Sequence, residues 1–151
     1  VVIREGAPKP DISTPQALRA TLTQARSITH ADPQATPGGR HIAALLAQWE
    51  IAETTQRKIS PKSAISGGAE LIAGGEMDIG LYLLSEVLNA KGVTVAGMLP
   101  AELQNYIVYA GAVLADSASP EAAVTFLKFV ADPSRQEQWK ATGFESIAKG
   151  D

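Results

Sequence analysis

"SITHADPQATPGGRHIAALLAQW", residues 27–49, decides the fold, because it passes from strand to turn to helix within one short run. "SITHA" (27–31) predicts a strand that Pro33 ends. Thr36 suits a helix N-cap and Pro37 the first helical position. Ile42, Leu45, Leu46 and Trp49 then recur at i, i+3, i+4 and i+7, a single apolar stripe with both tryptophans of the chain (Trp49, Trp139) assigned to helix packing. Gly38 and Gly39 are poor helix formers, so their place in a first turn calls for bare backbone. Proline has no N–H, and the free donors at this helix start therefore belong to Gly38, Gly39 and Arg40. Such donors, at the positive end of a helix dipole, suit a small anion. The competing reading is a tight turn whose amides are satisfied by Thr36 and water.

Working outward, strands alternate with helices. "VVIRE" (1–5) predicts a buried strand, and Ser13–Ala25 a helix with Ser13 and Gln16 at capping-box spacing and Pro15 in the first turn. A short strand is expected around 58–60, then a helix over "SGGAELIAGG" (66–75). Ser66, Gly67 and Gly68 repeat the arrangement at 36–39: a hydroxyl residue, two glycines, a helix. Two such turns at strand-to-helix switches of one small α/β unit point to a pocket where they converge. "MDIGLYLL" (77–84), "VTVAGML" (93–99) and "YIVYAGAVLA" (106–115) predict strands. Helices beginning at Ser119-Pro120 and Asp132-Pro133 close the chain. The alternation predicts an α/β fold with a parallel-rich sheet flanked by helices, and a boundary between Gly97 and Leu103.

Composition narrows the function. Of 151 residues, 45% are hydrophobic and 19% charged, which allows a packed core, and the net charge of −3 leaves no electrostatic footprint for nucleic acid. There is no cysteine, so disulfides and thiolate chemistry are excluded. No apolar run reaches the ~18 residues of a membrane span. His30, Asp32 and His41 lie close in sequence, but a metal site needs three or four converging ligands, and none is assigned. No G-x-S-x-G elbow, P-loop ending or pair of carboxylates at functional spacing is present, so no catalytic residue and no cofactor is assigned. Tyr82 follows "DIGL" at a strand end, where it either packs or faces a cleft. The chain opens on "VVIREG" without methionine or a visible signal peptide, and is read as a processed or truncated product.

"VVIREGAPKPDISTPQAL", "ITHADPQATPGG", "AELIAGGEMDIGLYLLSEV", "VTVAGMLPAELQ" and "SPEAAVTFLKFVADP", in that order, resemble the periplasmic molybdate-binding proteins and, more broadly, the type 2 solute-binding proteins of ABC importers. The resemblance implies two α/β lobes joined by crossing strands, with an oxyanion held between them by backbone N–H groups and hydroxyls. Residues 7–95 would be the second, inserted lobe; residues 1–6 and 96–151 would supply the crossing strands and the C-terminal part of the first lobe. It also implies a membrane ABC permease as partner and a periplasmic location for the full-length protein. Thr36, Pro37, Gly38 and Gly39 match the family's helix-end anion loop. With Ser66, Gly67, Gly68 and Tyr82 they form the expected ligand set. Molybdate binders carry a tyrosine after "GIV"; here Leu83 stands at that place and Tyr82 one earlier, which turns a strand side chain to the other face.

The effector-sensing domain of a transcription regulator shares this fold by resemblance and is the alternative reading; a third is an isomerase or hydrolase of small acids. Strands 93–99 and 106–115 would lose partners in a truncated first lobe, and pairing of two copies is the expected remedy.

Overall fold

Apolar triplets build the sheet. The computed structural model describes residues 1–51 and 59–145, in two compact units, Val1–Ile107 and Val108–Asp151. In the first unit, β1 (Val2–Arg4), β2 (Ile28–His30), β3 (Ile59–Pro61), β4 (Ile79–Leu81) and β5 (Val93–Val95) form one sheet in the order β3-β2-β4-β1-β5. β2 pairs in parallel with both β3 and β4, whereas β1 is antiparallel to β4 and β5. β5 therefore runs with β4, and only β1 opposes the common direction. The expected α/β class holds. The strand expected at 58–60 is Ile59–Pro61, and Lys58 lies outside the described residues, as do 146–151.

Alternation along the strands gives the sheet two apolar faces. On one, Ile3, Ile28, Ile79 and Leu81 pack with Leu18 and Leu22 of α1 (Pro15–Gln24) and Ile42 and Leu46 of α2 (Pro37–Gln48). On the other, Val2 packs with Ile72 of α3 (Gly68–Ala73) and Val87 of α4 (Leu84–Val87). The stripe read in the sequence thus does seat α2, although Trp49 is only half-buried at the core margin. The helix start at 13 needs correction. Thr14, not Ser13, is the cap: its hydroxyl accepts from the Ala17 amide at 3.1 Å, while Ser13 donates to Asp11 instead.

The second unit holds α5 (Pro120–Val130) and α6 (Gln136–Ala141), preceded by a 3-10 turn at Pro133–Arg135 that Asp132 caps through the Ser134 amide at 2.8 Å. Trp139 donates to the Val130 carbonyl, and its ring and that of Tyr109 both meet Phe144 edge-on. None of the described residues 108–145 is buried, and Leu114, Phe126 and Phe129 are largely exposed. The strand expected at 106–115 is absent, and that over 93–99 shortens to Val93–Val95. Propensity proposes a strand, but ladder partners make one, and no described residue pairs with 106–115.

Truncation of a side chain will therefore cost very differently in the two units. Leu46→Ala, in the first unit's core, is expected to lose about 2–5 kcal/mol by chemical denaturation. Phe126→Ala, with 63% of its surface already in solvent, is expected to lose under about 1 kcal/mol.

Candidate functional site

The parallel register aligns Ile28 with Ile59 and Ile79, and His30 with Pro61 and Leu81. The carboxyl ends of β2, β3 and β4 consequently open at one edge of the sheet, where ligands of open α/β sheets bind. The chain leaves that edge through three segments: Ala31 to Thr36 into α2, Lys62 to Gly67 into α3, and Tyr82-Leu83 into α4. Both glycine turns singled out in the sequence emerge here.

In the first turn Thr36 has extended backbone and caps α2. Its hydroxyl is fully used, accepting from the Gly39 amide at 3.0 Å and donating to the Asp32 carbonyl at 3.1 Å. Gly39 is buried, and a Cβ on it would run into the Ala31 and Asp32 carbonyl oxygens. That glycine serves the close approach of strand end to helix. Pro37 carries no N–H. Gly38 differs: its amide has no partner among the described residues, and a Cβ there would meet only Leu83 Cδ2 at 3.7 Å, ordinary contact. Of the four residues predicted in this turn, Gly38 alone offers an unspent backbone donor.

The second turn is a 3-10 turn at Ala64–Ser66 followed by Gly67 at φ 106°, a left-handed conformation that favours glycine. The Ser63 carbonyl accepts from the amides of Ser66 at 3.1 Å and Gly68 at 2.9 Å. A Cβ on Gly68 would strike the Tyr82 hydroxyl and come within 2.6 Å of the Lys62 carbonyl oxygen. Gly68 is thus fixed by packing, whereas the exposed Ser66 hydroxyl is unpartnered among the described residues.

Tyr82 and Leu83 connect the two turns. The Tyr82 hydroxyl donates to the Lys62 carbonyl at 2.8 Å and lies 2.8 Å from Thr29 Oγ1, which with that proton committed must be the donor. Burial, chiefly, pushes the Tyr82 phenol above its ordinary range. Leu83 faces Gly38 in the other turn. Successive residues at the end of β4 therefore touch one glycine turn each. Tyr82 braces the edge through Thr29 and Lys62, and Leu83 occupies the place where the resemblance expected a tyrosine.

His30, Glu86 and Lys62 are among the charged or titratable groups near this edge. His30 is buried and donates through Nδ1 to the Ala31 carbonyl at 2.7 Å; loss of hydration holds its pKa below the ordinary histidine value, outweighing the opposing effects of that bond and of Asp32. Glu86, in α4, has a buried Oε2 without a partner among the described residues, and burial raises its carboxyl. Lys62 was missed in the sequence because a lone lysine after a weak strand carries no pattern. Its side chain crosses Gly67, where a Cβ would sit 2.8 Å from Nζ. His41 is engaged elsewhere, donating to the Leu103 carbonyl at 2.8 Å. Among the described residues no three His, Asp or Glu side chains are placed to hold a metal ion.

Residues 1–145 match the family model described as bacterial extracellular solute-binding protein. An aconitate isomerase from a Pseudomonas species is 29% identical over 148 residues, 97% of this chain and 55% of that protein. The molybdate-binding protein ModA of Rhodobacter capsulatus is 25% identical over 122 residues, 81% of this chain and 48% of that protein. The chain thus spans about half the length of these relatives. A substrate-binding domain assigned to a molybdenum ABC transporter of Clostridium difficile superposes with a TM-score of 0.74 at 16% identity, over 97% of this chain and 62% of that one. This last likeness is one of fold.

Two outcomes follow from the geometry. Tyr82→Phe strands the buried Thr29 hydroxyl, and is expected to lose about 1–3 kcal/mol in urea denaturation. Burial holds the His30 pKa below its value in the unfolded chain, so the unfolded chain takes up protons first as pH falls. Stability should then decline on acidification below about pH 6.5, and His30→Gln should flatten that slope in melting curves.

Proposed function

The chain belongs to the bacterial extracellular solute-binding proteins, and from that premise we propose that it holds a small oxyanion at the carboxyl edge of its sheet. Within the longer protein the anion is handed to a membrane ABC permease, outside the cytoplasm in the periplasm. The observation that carries this reading is the meeting of both glycine turns with the end of β4, one through Leu83 and one through Tyr82, with the Gly38 amide left unspent. A neutral backbone donor at the start of a twelve-residue helix suits a deprotonated oxyanion. Ser66 and Gly67 belong to the ligand set on the other turn. Thr36, Gly39, Gly68 and Tyr82 shape the site and hold its donors in place. Residues 7–95 act as the inserted lobe, with 1–6 and 96–151 as crossing strands and part of the first lobe.

ModA's name supports molybdate as one such anion. A second reading is favoured by the aconitate isomerase, whose 29% identity extends over nearly the whole chain. Under it the same edge takes a polycarboxylate, and Glu86, with its raised carboxyl and unpartnered Oε2, is the group suited to carry a proton.

Calorimetric titration of the full-length protein with molybdate, tungstate, sulfate, phosphate and aconitate separates these readings. Saturable binding of one anion without turnover is the expected result. Conversion of aconitate, followed by proton NMR, would establish the second reading, and silence toward all five would sink both.

A further inference from the structure

The opposite edge of the sheet carries a crevice that the oxyanion reading does not use. β1 runs against β4 with Ile3 beside Ile79, so Arg4 leaves the sheet where β2 and β4 begin. There Arg4, Arg26, Asp78 and the loop prolines Pro8 and Pro10 line a cavity of about 260 Å³. Ile3, Met77 and Ile79, all buried, line it as well and give it an apolar floor. A space of that size suits a small molecule.

The two cations of this cavity differ. Arg26 is already answered: its Nε donates to Asp78 Oδ2 at 3.1 Å and its Nη2 to Oδ1 at 2.6 Å. The Arg26 amide also donates to Oδ2, at 2.9 Å. Arg4 has no acidic partner among the described residues, whose ion pairs are Arg26–Asp78 and Lys140–Glu137. Its guanidinium lies over Gly75, where a Cβ would come 3.2 Å from Nη1. Gly75 stands at φ 78° and lines the same cavity, so it supplies both the turn after α3 and the room for that guanidinium.

Two guanidiniums and one carboxylate leave a single net positive charge beside an apolar floor. A monocarboxylate with a compact apolar body matches both, its oxygens on the planar fork of Arg4 and its carbons on the floor. A second negative charge on the ligand would find Asp78 in the same small space, with Arg26 already committed to it. We propose that this cavity is a second binding site, which takes a small monocarboxylate with an apolar body through Arg4.

The test is heteronuclear NMR of the full-length protein titrated with benzoate, its neutral isostere benzamide, and acetate. Melting curves check the folding of three variants, Arg4→Met, Ala7→Phe and Lys128→Met. Ala7→Phe fills the cavity from its loop wall without changing charge, and Lys128→Met removes one positive charge from an exposed position in α5. Benzoate is expected to shift the amides of Arg4, Arg26 and Gly75 along one saturable isotherm, with benzamide and acetate at least about 10-fold weaker. Arg4→Met and Ala7→Phe should each weaken benzoate about 10- to 100-fold, and Lys128→Met should leave it unchanged. No saturable shift at these amides, benzamide binding as tightly as benzoate, or full benzoate affinity in Ala7→Phe overturns the proposal. So does an equal loss in Arg4→Met and Lys128→Met, or benzoate shifts gathered at Gly38 instead. The amides read here lie at the other edge of the sheet from Gly38, so failure of this site is distinguishable from failure of the oxyanion reading.

Discussion

The parallel pairing of β2 with β3 on one side and β4 on the other is the constraint from which the site follows. Three residues per strand suffice because the register is shared: His30, Pro61 and Leu81 come level, and the next residue of each strand steps off the same edge. Had β1 been placed between β2 and β4, its opposite direction would have inserted a strand start among those strand ends. Instead β1 lies beyond β4, and the edge where the turns emerge is uninterrupted. The apolar face beneath it is closed by α1 and α2, the other by α3 and α4, so the turns are anchored from both faces.

The glycines at this edge divide by role. Gly39 and Gly68 are required by close backbone and hydroxyl approach, Gly67 by its left-handed conformation and the lysine that crosses it. Gly38 has none of these needs. A turn can thus look built for a ligand when most of its glycines serve the join of strand to helix. The amide that remains unpartnered identifies where a ligand would add something the protein does not already supply.

The fold was readable from period and punctuation. The stripe Ile42, Leu45, Leu46, Trp49 and the Thr36-Pro37 start located α2 closely, and "VVIRE", "SITHA" and "MDIGLYLL" each contained a true strand. What failed was whatever depends on a partner. "YIVYAGAVLA" has the residues of a strand and no neighbour to pair with among the described residues, and Ser13 lost the cap to Thr14 because Asp11 took its hydroxyl. At the site, the two turns were visible as composition, but not that Thr36 and Tyr82 would spend their hydroxyls on Asp32 and Lys62. Leu83 was legible only as the residue standing in a tyrosine's place, since its contact is with Gly38, far away in sequence, and Lys62 carried no pattern at all.

Amide resonances of the full-length protein, followed by heteronuclear NMR while a bound anion is titrated in, test the central claim most directly. The account predicts that Gly38 and Gly67 move furthest and saturate together with the binding isotherm, with Gly39 and Gly68 shifting less because their amides already have protein acceptors. Saturable binding that leaves Gly38 and Gly67 unmoved, with the shifts gathered away from the carboxyl ends of β2, β3 and β4, would contradict it.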